Sequence, residues 1–106
     1  MPLQDELRAV FLPRFLEAAR GRLEKAKTGD HGQAAAELHS LAGEAMLLGL
    51  TELSQIAAEG ERAARHCFEA ADDAGRARCA DLIARMISGV EELARTASVE
   101  RSAQKR

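Results

Sequence analysis

Apolar side chains recur at intervals of three and four along four stretches of this 106-residue chain, and each stretch is bounded by residues that stop a helix. That rhythm leaves room for little except packed helices. Met1 to Leu12 mixes charge with Leu3, Leu7, Val10, Phe11 and Leu12, which predicts a short helix. A proline is tolerated in a first helical turn but breaks an interior one, so a new helix is expected to start near Pro13 and to reach about Lys27. Its inward stripe is Leu12, Phe15, Leu16, Ala19, Leu23 and Ala26. Thr28-Gly29-Asp30 ends it; Asp30 is placed to cap the next helix, with Gln33 in the capping-box position. The second helix is expected from His31 to Leu48, with Leu38, Leu41, Ala45 and Leu48 inward, and Gly49 stops it.

The third helix starts near Leu50 or Thr51 and turns Leu53, Ile56, Ala57, Gly60, Ala64 and Cys67 inward. Asp72-Asp73-Ala74-Gly75 is expected as a loop. A fourth helix follows, carrying Cys79, Leu82, Ile83, Met86, Ile87, Val90, Leu93 and Ala97. Helices of this length joined by short loops predict an all-α, antiparallel up-down four-helix bundle with a short additional N-terminal helix. The bundle would occupy residues 1–98 and a polar C-terminal tail residues 99–106.

Composition narrows the function classes. No alternating β-branched run suggests a strand, and the three aromatic residues are all Phe. A formal charge of −2 does not suit a nucleic-acid binder, which needs a basic face. Cys67 and Cys79 flank a turn without a CxxC pattern and are expected as reduced thiols. The three histidines have no metal-ligand spacing. With no signal peptide and no apolar run of membrane-spanning length, the chain is expected in the cytoplasm, free or as a module of a larger protein.

One histidine stands out. Helical phase puts His39 well round from the stripe of the second helix, on its solvent side, with Ala35, Ala36, Ser40, Ala42, Gly43, Met46 and Leu47 about it. A solvent-facing helix surface normally carries charge; this one is small and apolar around a single imidazole, which predicts a docking patch. His39 lies ten residues before Gly49 and Glu61 twelve after it. In antiparallel neighbours both would sit roughly 15–18 Å from the turn, so the carboxylate can reach the ring. A carboxylate accepting from Nδ1–H fixes the tautomer and leaves Nε2 as a nucleophile.

His39-Ser40-Leu41-Ala42-Gly43, with Gly49, Leu53 and Glu61, resembles the histidine phosphotransfer (HPt) domain family, above all the P1 domains of chemotaxis-type histidine kinases. The match spans about Ala35 to Arg65. The resemblance implies that His39 accepts a phosphoryl group from the ATP-binding domain of a histidine kinase and passes it to an aspartate of a response-regulator receiver domain. It implies that Glu61 orients the ring. It also implies a phosphocarrier rather than an enzyme: ATP and Mg²⁺ belong to the partner domains, no cofactor is bound, and no P-loop or kinase glycine motif is present. A monomer without nucleic-acid or membrane partners is expected.

The family's usual lysine, three residues after the histidine, is Ala42 here. Arg62 and Arg65 on the third helix are candidates to steady phosphate in its place, although Arg65 is also spaced to pair with Glu61. The missing lysine keeps an alternative open, an HPt-like adaptor that binds a kinase or receiver without carrying phosphate. A purely structural, dimerising helical piece is a third.

Overall fold

The chain turns at Gly29 and Gly49, but not at Pro13. A computed structural model describes residues 2–70 and 73–104, and the side chains of residues 6, 8–70 and 73–98. Its helices are α1 (Pro2–Thr28), α2 (His31–Leu47), α3 (Thr51–Ala70) and α4 (Asp73–Gln104). The separate N-terminal helix expected before Pro13 is instead the first part of a continuous α1. Pro13 removes one backbone donor, which would pair with the carbonyl of Ala9. Both residues are exposed, so water can take that carbonyl, while Phe15 and Leu16 just beyond anchor the rod in the core.

Two further boundaries differ from expectation. Asp73, Ala74 and Gly75 are helical, with Asp73 in the first turn of α4, where a carboxylate complements the helix dipole. Asp72 lies outside the described residues. The polar C-terminal tail expected from residue 99 is helical through Gln104. Its Ala, Glu, Arg and Gln residues are good helix formers, so propensity carries the rod on where the apolar stripe ends.

The ends of α2 fix where the site falls. Asp30 has extended backbone, and its Oδ1 accepts from the Gln33 N–H at 2.8 Å, which caps α2. At the other end Gly49 takes φ 72°, the left-handed conformation that a side chain would strain. The Gly49 N–H then donates to the Met46 carbonyl at 3.0 Å and the Leu50 N–H to the Ala45 carbonyl at 2.8 Å, a Schellman closure. The chain reverses at once into α3.

Each helix packs on its neighbour in sequence and α1 closes the ring against α4, giving the antiparallel up-down bundle. The core is aliphatic: Leu38, Leu41, Leu82, Met86, Val90 and Cys79 are its largest fully buried side chains. Arg20 forks onto both carboxylate oxygens of Glu91 at 2.9 Å, tying α1 to α4. Arg22 bridges α1 to Glu37 and Glu44 of α2 at 3.1 Å each.

Two glycines test this packing in opposite directions. Gly21 is exposed within α1, and a Cβ there would meet nothing within 4 Å. Gly21→Ala is expected to stabilise the protein by about 0.5–1 kcal/mol, through backbone entropy and helix propensity. A Cβ at buried Gly60 would stand 3.0 Å from Leu38 Cδ1 and 3.6 Å from Leu82 Cβ. Gly60→Val is expected to cost about 1–3 kcal/mol through overpacking. Urea unfolding of the two variants beside the wild type reads both signs.

Candidate functional site

On α2 the imidazole of His39 is 71% exposed. Ala36 and Gly43 are exposed beside it, with Met46 at 70% and Leu47 at 84% exposure about two turns on. Ser40 and Ala42 are half-buried. Ala35, expected on the same open face, is buried. It recurs with Leu38 and Ala42 on the flank that α3 covers, where Gly60 meets Leu38 and the Ser54 hydroxyl donates to the Ala42 carbonyl at 3.0 Å. Small residues there let α3 come close, and that closeness closes over Ala35.

The same approach delivers the carboxylate. His39 Nδ1 lies 3.1 Å from Oε1 and 3.2 Å from Oε2 of Glu61, whose side chain is only 17% exposed. An ionised carboxylate only accepts, so Nδ1 carries a proton, and in the neutral ring the lone pair is then on Nε2. Arg65, one turn along α3, donates from Nε and Nη2 to Glu61 Oε2 at 2.9 and 2.7 Å. Partial burial pushes the Glu61 carboxyl up, but the hydrogen bonds from Arg65 and His39, with the charge they bring, outweigh it and hold the group below its ordinary value.

Arg62 is not part of this cluster. It lines a groove between α3 and α4 with Glu59, His66 and Arg78, because one step along a helix turns a side chain by about 100°. Ser54 is a site-supporting residue that the sequence analysis missed. Its signal was present: it sits at the register of Leu50, Leu53 and Ala57, a polar residue on a buried stripe. The apolar face runs on past Leu47 into a shallow groove against α1, lined by Phe11, Phe15, Ala18 and Leu48, with Arg14 and Glu44 also lining it. Among the described residues no group of three His, Cys, Asp or Glu side chains is placed to hold a metal, and no helix is long and apolar enough to cross a membrane. Cys67 and Cys79 are buried and not joined by a disulfide; burial, and secondarily the neighbouring Cys67, pushes the Cys79 thiol up.

Because the folded Glu61 carboxyl lies below its unfolded value, it contributes stability that is complete above the ordinary carboxylate range and is lost as pH falls through the depressed value. Carboxyl-carbon NMR is expected to place its midpoint below that of a glutamate in an unstructured peptide, and Glu61→Gln to flatten the acid limb of stability against pH. Ser54→Ala removes the bond to the Ala42 carbonyl and is expected to cost about 1 kcal/mol in urea unfolding.

The model of the Hpt domain family matches residues 10–96. Comparison with curated proteins and with solved structures finds no match to either. The family match covers all of α2 and α3, both partners of the His39–Glu61 contact and most of α1 and α4. Hpt domains are phosphocarrier modules of phosphorelays that interact with kinases and receiver domains and are not themselves kinases. On this evidence the four-helix ring and the histidine it holds out to solvent belong to a member of the Hpt domain family.

Proposed function

We propose that His39 is the phosphoacceptor of a two-component or chemosensory phosphorelay. The supporting observation is the division of labour on one ring: Nδ1 is held by Glu61, while Nε2 makes no hydrogen bond among the described residues on a side chain 71% exposed. The lone pair of Nε2 attacks the γ-phosphorus of ATP bound to a histidine kinase's ATP-binding domain. The phosphorus–nitrogen bond forms, the bond to the bridging oxygen breaks, and ADP leaves with that electron pair. Positive charge that develops on the ring is met by Glu61. In the second transfer an aspartate oxygen of a receiver domain attacks the phosphorus, and the imidazole departs with its lone pair. ATP and Mg²⁺ are supplied by the partners' domains. The chain is read as acting as a monomer in the cytoplasm.

Ala36, Ser40, Ala42, Gly43, Met46 and Leu47 form the docking surface in this reading. Gly43 is the sharpest member. A Cβ on it would meet nothing within 4 Å, so the helix backbone one turn from His39 is open to the approach of another protein. The adaptor reading keeps one specific support, Ala42 where the family has lysine. It differs in predicting tight partner binding that survives His39→Gln with no phosphate transferred.

Incubation with a histidine kinase and γ-labelled ATP is expected to give an acid-labile, base-stable label that His39→Gln abolishes; equal labelling of that variant overturns the assignment. Gly43→Arg is expected to keep or raise the melting temperature while slowing transfer to a receiver at least about tenfold, since a long side chain blocks approach without disturbing the helix. Stopped transfer assays with purified phosphoprotein measure the second effect.

A further inference from the structure

Glu61 has two cationic or potentially cationic neighbours, and they divide its oxygens unequally. Both Arg65 donors close on Oε2, at 2.9 and 2.7 Å, while His39 Nδ1 lies across both oxygens, 3.1 Å from Oε1 and 3.2 Å from Oε2. We propose that Arg65 is a positioning residue for phosphotransfer, which offsets the charge of the Glu61 carboxylate so that the ring is oriented without being held as imidazolium. This inference rests on His39 being the phosphoacceptor.

The reasoning is electrostatic. A lone carboxylate beside an imidazole favours the doubly protonated ring, and that ring has no lone pair on Nε2 to attack phosphorus. An orienting carboxylate therefore works against nucleophilicity unless something offsets its charge. Here the offset comes from α3. Among the described residues no charged side chain other than Glu61 is hydrogen-bonded or ion-paired to His39; on the open face of α2 its neighbours are Ala36, Gly43 and Met46, and position 42 is alanine. On the α1 side of α2, Arg22 is engaged with Glu37 and Glu44. Arg62 lines the groove towards α4.

The same geometry separates this role from a direct contact with phosphate. Arg65 acting through Glu61 matters where the ring can gain a second proton and ceases to matter where it cannot. Arg65 gripping the phosphoryl group would matter at every pH.

Arg65→Gln, Arg65→Lys and wild type are compared in two ways. Ring-nitrogen NMR of His39 in the free protein reads its protonation against pH. Phosphorylation by phosphoramidate, a small donor that loses ammonia as the new phosphorus–nitrogen bond forms, reads nucleophilicity without a partner protein. In Arg65→Gln the ring midpoint is expected to move up, as befits the loss of a nearby positive charge. Its phosphorylation rate relative to wild type is expected to fall about 1.5- to 2-fold near neutral pH and to return to wild type near pH 9, with Arg65→Lys restoring most of the loss. An unmoved midpoint, or a loss that is equal at all pH values, overturns the proposal. Equal phosphorylation of His39→Gln would instead sink the phosphoacceptor assignment and leave the NMR result to judge Arg65 alone.

Discussion

The close approach of α2 and α3 at Leu38 and Gly60 is the contact on which the site depends. The space beside Gly60 is filled by Leu38, with Leu82 behind it, and Leu38 is fully buried. Each member of that packed pair is followed directly in sequence by a member of the functional pair, His39 and Glu61. The interaxial distance set by a glycine opposite a leucine is therefore the distance across which a carboxylate meets an imidazole. Ser54 fastens the same seam two turns from Glu61 with its bond to the Ala42 carbonyl. Helix packing distances follow the side chains at the crossing, so a site built across such a seam inherits the precision of the core.

The outer side of α2 is built on the opposite principle. The inner stripe is sealed, yet Met46 and Leu47 stand in water on the last turn, and Gly43 leaves a vacant place one turn from the histidine. Covering a large apolar side chain yields about 1.5–3 kcal/mol, so that face holds binding energy that the isolated chain does not use. Small residues around the ring and large apolar ones at its edge let a partner come close where the chemistry occurs and gain area where it does not. The continuous α1 adds to this edge, because it brings Phe11 and Ala18 alongside Leu47.

Helical phase alone read the four stripes, the turns at Gly29 and Gly49 and the exposure of His39, because each depends on spacing within one helix. The reach of Glu61 to His39 was legible for a related reason: a single tight turn at Gly49 converts positions in sequence into heights along two antiparallel rods. Ala35 and Arg62 were misplaced because phase gives a direction from one axis and not which flank a neighbouring helix covers. Pro13 misled because its ordinary cost inside a helix was outweighed by burial of Phe15 and Leu16 on the same rod.

The sequence by itself determined the inward stripes of the four long rods, the histidine and the carboxylate able to meet it, since apolar periodicity and turn chemistry are local properties; that the segment before Pro13 joins the first rod it did not show. Only the tertiary structure decided how that carboxylate is shared. Whether Arg65 points at phosphate or at Glu61, and on which oxygen, depends on where two packed helices leave the side chains, to within a hydrogen bond's length. Periodicity does not resolve positions that finely; the packing of Leu38 against Gly60 does.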